Sequence, residues 1–257
     1  MNSSLSAFAE DPAAHLPAPA GAIVVDETRF HLSVSTEGRR AGVCRLRLGA
    51  ADVGDVFAEI RRRAPRARTE WIVGPSSTPD GLEDQLRTLG ARDQDPPLTS
   101  RVAALATDVA PPRADAVAVR RVETYDDFLV GLEVSVAGWE LSEADAERER
   151  GWAAETWERR RIRPGGEWIA SIDGEPVAYA GAIAGPVGLF LTGGVTLPQA
   201  RGRGAYRALV RARWDEAVGR GTPALVVHAE EASRRVLEAI GFERVCEIVE
   251  LVTDARA

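Results

Sequence analysis

Cysteine is nearly absent: Cys44 and Cys246 are the only two in 257 residues. That count excludes a disulfide framework and a cysteine-based zinc site, and it leaves two buried single thiols as the reading. No apolar run approaches the ~20 residues needed to cross a bilayer. The opening Met1 to Ala20 lacks the basic start and the continuous apolar stretch of a secretory signal, so the expectation is a cytoplasmic chain without a membrane partner. Positive charge is not in excess either. The net charge is -7, which argues against general affinity for nucleic acid and suits a cationic acceptor. No Gly-Lys-Ser or Gly-Lys-Thr occurs, which removes a Walker-type phosphate loop.

What is there is the composition of a globular protein, 45% hydrophobic and 28% charged, long enough for one large domain or two modest ones. Residues 1–20 are rich in Ala, Ser and Pro without a clear period and read as a loosely held lead segment with at most a short helical turn. From Gly21 the text turns strand-like at Ala22 to Val25, Phe30 to Val34 and Val43 to Leu48. Val53, Phe57 and Ile60 recur at helical spacing until Pro65, and Trp71 to Val73 reads as a buried strand. A second helix follows, with Thr78 or Asp80 as N-cap, Leu82, Leu86 and Leu89 on one face, and Gly90 as C-terminal cap. Thr99 to Ala106 closes this half, residues 21–107. The prolines of Asp108 to Arg113 mark a linker over 108–116.

The second half, 117–257, opens with a strand at Val117 to Val122. Helical text follows from Tyr125 to about Ala137 and from Ser142 to about Arg161, the latter behind a capping-box-like Ser142-x-x-Asp145. Asp173-Gly174 is a hairpin signal between Trp168 to Ile172 and Val177 to Ile183. Val187 to Val195 is a further strand, and a helix runs from Gly202 to about Gly219. Ala224 to His228, Glu231 to Ile240 with Gly241 as cap, and Arg244 to Val252 complete the order.

The corner between Val195 and Tyr206 carries the clearest chemistry. A strand ends at Pro198, Gly202 and Gly204 follow one residue apart, and a helix then begins. Such a corner can hold an anion, because glycine admits close backbone approach and the first helical N–H groups have no partner and carry the positive dipole end. Arg201 and Arg203 add charge. The first half has a matching order of strand, helix, strand, helix and glycine cap, and so reads as a shortened internal copy. Its own corner, Leu48 to Gly54, has no arginine and places Asp52 where an anion would sit. Only the C-terminal half is therefore expected to bind a phosphate-bearing ligand. A Rossmann reading fits poorly, since the third glycine of that fingerprint is missing.

Gln199-Ala200-Arg201-Gly202-Arg203-Gly204-Ala205 resembles the Gln/Arg-x-x-Gly-x-Gly/Ala signature of the GNAT superfamily of N-acetyltransferases. The resemblance extends from about Val117 to Val252, and Ile240-Gly241-Phe242 is similar to the family's Leu-Gly-Phe ending. It implies an α/β (α+β) fold, a mixed and mostly antiparallel sheet flanked by helices, in two tandem copies of which the N-terminal one is degenerate. It also implies acetyl-CoA as acyl donor, no metal, and a small-molecule or peptide amine as acceptor to a monomer or homodimer. Backbone groups of Gln199, Ala200, Arg201, Gly202, Arg203, Gly204 and Ala205 would cradle the pyrophosphate. Val195, Thr196 and Leu197 would pair with the pantetheine arm.

Where the family often carries an Asn and a general-acid Tyr, this chain has Glu230 and Leu237. His228 at a strand end, Glu230 and Ser233 are the polar candidates to move the proton or bind the thioester. Trp139, Trp152 and Trp157, among Glu140, Glu143, Glu147 and Glu149, read either as a site for a cationic amine or as a buried stripe with a solvated face. The resemblance implies an acyl-CoA-dependent N-acyltransferase. The alternative is a catalytically weak sensor or interaction module for CoA or acetyl-CoA.

Overall fold

A computed structural model describes residues 2–96, 98–114 and 116–255; Met1, Pro97, Asp115, Arg256 and Ala257 lie outside it, Asp115 within the expected linker. In the first half the elements are α1 (Ser3–Glu10), β1 (Ile23–Asp26), β2 (His31–Val34), β3 (Arg40–Cys44), α2 (Val53–Arg63), β4 (Arg68–Val73), α3 (Leu82–Thr88), β5 (Arg92–Asp93) and β6 (Arg101–Thr107). The second half continues with β7 (Ala118–Arg121), α4 (Tyr125–Gly138), α5 (Glu143–Gly151), α6 (Ala153–Arg161), β8 (Gly165–Ile172), β9 (Glu175–Ala184) and β10 (Leu189–Thr196). It ends with α7 (Ala205–Gly219), β11 (Leu225–Ala229), α8 (Glu231–Glu238) and β12 (Glu243–Thr253).

By contacts the chain forms two compact units. The first takes Met1–Ala106 together with His228–Glu238 and Glu243–Ala257, and the second takes Thr107–Val227 and Ala239–Phe242. The linear division at 108–116 therefore does not carry α8 and β12 with the second half. The physical reason is strand pairing: β12 is hydrogen-bonded antiparallel to β4 on one side and β6 on the other.

In the first unit the strand order is β1-β2-β3-β4-β12-β6, antiparallel apart from β3 beside β4. The alternating apolar residues of these strands meet the Val53, Val56 and Ile60 face of α2. Phe57 stacks on Trp71 at 4.8 Å between centroids, and the indole N–H of Trp71 donates to Thr253 Oγ1 at 3.2 Å. Residues 2–10, within the expected lead segment, are not loosely held. Asn2 caps α1, whose Leu5, Phe8 and Ala9 are buried, and Glu10 accepts from the backbone N–H of Ser76 at 2.7 Å. Leu5 and Phe8 are five and eight positions into a segment whose Ala-rich text hides them from a periodicity test. Cys44 is buried as expected, whereas Cys246 is only half-buried, with its thiol pushed up to about 11 chiefly by burial.

In the second unit the order is β11-β10-β9-β8-β7. Asp173 and Gly174 both take positive φ, 54° and 85°, in the tight turn between β8 and β9, as the hairpin signal requires. The capping box forms at Thr124 and Asp127, ahead of α4, and not in full at Ser142, whose hydroxyl accepts from Asp145 N–H. The expected helix over 142–161 breaks at Trp152, where φ −99° and ψ 4° leave the α region just after Gly151. Helix α7 begins at Ala205 and not at Gly202, because both loop glycines are left-handed.

Helix α4 lies tight against the sheet. A Cβ on Gly131 would stand 2.4 Å from the Tyr179 ring, and one on Gly138 would stand 2.5 Å from Val195 Cγ2. Gly131→Ala is therefore expected to destabilise the fold by about 1–3 kcal/mol despite alanine's better helix propensity, measured as a lower denaturation midpoint. An unchanged midpoint would mean that the helix can lift off the sheet.

Candidate active site

Strand β10 pairs with β11 only at Leu189↔Leu225 and Phe190↔Val226, while its other edge stays paired with β9 as far as Thr196↔Ala178. From Leu191 onward the strand's β11-facing edge has no ladder partner among the described residues. A bulge between Thr192 and Val195 adds to the departure, with Gly193 at φ 58°. The splay leaves backbone groups ready to pair with an extended ligand.

The chain then turns through Pro198–Ala200 into the glycine corner. Gly202 has φ 77° and Gly204 φ 91°, conformations that cost L side chains dearly. The backbone N–H groups of Gly202, Gly204, Ala205, Tyr206 and Arg207 donate to no acceptor among the described residues. Together with the dipole of α7 they form an anion cradle. Arg201 Nε reaches the Thr196 carbonyl at 3.4 Å, and Arg203 pairs with Asp173 at 3.1 Å, both side chains being exposed. Sequence reading missed Arg207, whose guanidinium stands 3.8 Å from the position of a Cβ on Gly204. Its signal was the three-residue spacing from Gly204. The Thr196 hydroxyl is buried, beside the splayed edge, and has no hydrogen-bond partner among the described residues.

Tyr206 packs. A Cβ on Gly194 would meet its ring at 2.8 Å, and burial raises the phenol above its usual range. Arg213, one face further along α7, is fully buried on the carbonyls of Leu209 and Gly181 at 3.0 and 3.2 Å, and this burial lowers its guanidinium to about 10.

A cavity of about 200 Å³ opens at the bulge, with Gly193 in its wall. Apolar side chains of α4, among them Phe128, Leu132 and Val136, form one side, and Glu149, Arg160 and Tyr179 supply polar groups. Of the tryptophans read as acceptor candidates, Trp139 lines this cavity. Trp157 packs instead on Phe128 at 5.8 Å, and Trp152 lies under Arg148 at 6.0 Å. Glu149 is the carboxylate of the set that reaches the cavity, whereas Glu143 faces Arg150 at 3.5 Å.

The three polar candidates near the last helix all belong to the first unit, and each is engaged there. His228 Nε2 lies 2.9 Å from the Ala9 carbonyl, which can only accept, so Nε2 is a donor. Its Nδ1 is 3.4 Å from Glu250, whose carboxylate together with burial raises the pKa of Glu70. Glu230 accepts from Thr99 N–H at 3.2 Å, and Ser233 Oγ donates to the Glu230 carbonyl at 3.1 Å. Leu237 is fully buried. His228→Ala is expected to cost about 1–3 kcal/mol of stability by leaving the Ala9 carbonyl and Glu250 without it, with acetyl-CoA affinity unchanged. A fall in turnover of a hundredfold or more in a variant that still folds would instead return His228 to the chemistry.

The first unit has a counterpart of the corner, built differently. There β3 and β4 stay paired from Arg40↔Arg68 to Val43↔Trp71, and beyond β3 the backbone of Leu46 and Leu48 bonds to Thr78. No edge is left to splay. Asp52, at the start of α2, holds its carboxylate 2.8 Å from where a Cβ on Gly49 would be.

Residues 134–242 match the model of the Acetyltransferase (GNAT) family. No curated protein matches the chain. Among solved structures the fold is similar to a GCN5-related N-acetyltransferase from Kribbella flavida, with 18% identity, a TM-score of 0.70, and coverage of 96% of this chain and 95% of that one. It is also similar to a functionally unknown conserved protein from Staphylococcus epidermidis, at 11% identity and a TM-score of 0.65 over 92% and 95% of the two chains. A tandem GNAT protein from the clavulanic acid biosynthesis pathway matches at 15% identity and a TM-score of 0.58 over 99% and 88%. Residues 134–242 thus carry a GNAT acetyltransferase domain, and the sheet they contribute to is mixed, mostly antiparallel and flanked by helices. No helix is long and apolar enough to cross a membrane among the described residues.

Proposed function

We propose that this chain transfers an acetyl group from acetyl-CoA to a small amine by direct attack in a ternary complex. The observation that carries the reading is the set of N–H groups of Gly202, Gly204, Ala205, Tyr206 and Arg207 that donate to no acceptor among the described residues, next to a strand edge that has left its neighbour. The cradle binds the pyrophosphate. The edge from Leu191 to Thr196 pairs with the pantetheine amides, and the buried Thr196 hydroxyl gains a partner there. Acetyl-CoA supplies the thioester that the amine attacks and the thiol that leaves. The acceptor enters the cavity at Gly193, where Glu149 takes the ammonium proton. On this reading the first unit is a degenerate copy without a donor site.

The second reading is a CoA or acetyl-CoA sensor. Its support is that Leu237, in place of the family's general-acid Tyr, is a core residue.

Calorimetry with acetyl-CoA, then thiol release with a panel of amines, separates the two. Binding with amine-dependent release supports transfer, binding without release supports the sensor, and no heat from a folded protein overturns both. The chain contains no lysine, so release without acceptor has no side-chain amine to draw on.

A further inference from the structure

The cavity wall carries a guanidinium that its neighbours engage through one nitrogen only. Arg160 lies over the Phe128 ring at 5.8 Å and spends one nitrogen, Nη1, on Glu167 at 2.7 Å and on the Tyr179 hydroxyl at 3.3 Å. Its Nε and Nη2 donate to nothing among the described residues. Glu167 is itself buried and is the carboxylate paired with Arg160. Arg163, just past the end of α6, is half-buried with no carboxylate bonded to it among the described residues, and it lies close enough to feel Arg160, Glu167 and Tyr179. Burial first and Arg160 second lower its guanidinium below the ordinary range. Arg160 is thus the wall cation with donors to spare, and Arg163 stands behind it, its backbone N–H on the Arg160 carbonyl at 3.1 Å. Arginine's planar fork, with one side already committed, presents its remaining N–H groups to a planar anion.

We propose that the acceptor amine also carries an anionic group, held by Arg160 with Arg163 behind it, so that the substrates are small zwitterions of amino-acid kind. The idea rests on the transferase reading of the same cavity. Glu149 complements the ammonium, the guanidiniums complement the acid, and the apolar wall of Phe128, Leu132 and Val136 takes the remainder. The cavity of about 200 Å³ has room for a molecule of amino-acid size.

Trp139 in the cavity wall gives a readout that does not depend on turnover. The twenty L-amino acids, their amides and the aminoalkylphosphonates would be titrated against the tryptophan fluorescence of the acetyl-CoA-loaded and CoA-free protein, with Trp139→Phe as control. The expected result is at least tenfold tighter binding of some acid than of its amide, with the phosphonates showing whether a tetrahedral anion serves as well as a carboxylate. Arg160→Gln alone would strand Glu167, so the charge-balanced Arg160→Gln/Glu167→Gln pair is used, together with Arg163→Gln. Both should remove the preference for acids while acetyl-CoA affinity stays as in the parent chain. Amides binding as well as acids in the parent protein, or a preference that survives both variants, overturns the proposal. Failure of acetyl-CoA to bind would strike the transferase reading separately.

Discussion

Gly202→Asp and Gly204→Asp are each expected to abolish acetyl-CoA binding in calorimetry, weakening it at least a hundredfold, about 2.7 kcal/mol. Three effects act in the same direction. Both positions hold left-handed φ, which costs a non-glycine residue roughly 1–2 kcal/mol. A carboxylate at a helix start accepts from the very N–H groups that the pyrophosphate would use. Its charge also repels the phosphates at close range. The fold should survive, because a Cβ at Gly202 meets no atom within 4 Å and the nearest atom to one at Gly204 is 3.8 Å away. Gly202→Ala separates the causes, since it keeps the strain without the charge and should weaken binding far less. Undiminished affinity in both aspartate variants would remove the corner from the donor site.

Glu149→Gln is expected to lower kcat by about 10²- to 10⁴-fold with acetyl-CoA affinity unchanged. Glu149 is half-buried in the cavity wall, and no side chain bonds to its carboxylate among the described residues. Glutamine keeps the shape and loses only the proton acceptor, so cavity collapse does not confuse the result. A rise in the acceptor KM with kcat intact would make Glu149 a binding group for the ammonium instead of the base. Activity equal to the parent chain in both parameters would remove it from the reaction.

The glycine corner was legible because its signal is local. Two glycines one residue apart, a strand before and a helix after all lie within sixteen residues. The surroundings of the three polar candidates were not legible for the opposite reason. His228, Glu230 and Ser233 were read from their nearness in sequence to the last helix, yet His228 is held by Ala9 from α1 and by Glu250 from β12, more than 200 and some 20 residues away. Nothing in an Ala-rich opening marks Ala9 as the carbonyl that a histidine needs. The cavity likewise gathers Leu132, Glu149, Arg160, Tyr179 and Gly193 from separate elements, so no window of sequence contains it. The boundary between units escaped a linear reading because β12 pairs with β4 and β6.

The Asp52 carboxylate over Gly49 has a stoichiometric meaning. Under the proposed function an internal copy would double the number of donor sites, but the matching corner holds the chain's own Asp52 carboxylate beside a closed β3–β4 edge. Titrations should therefore saturate at one equivalent of acetyl-CoA per chain along a simple hyperbola.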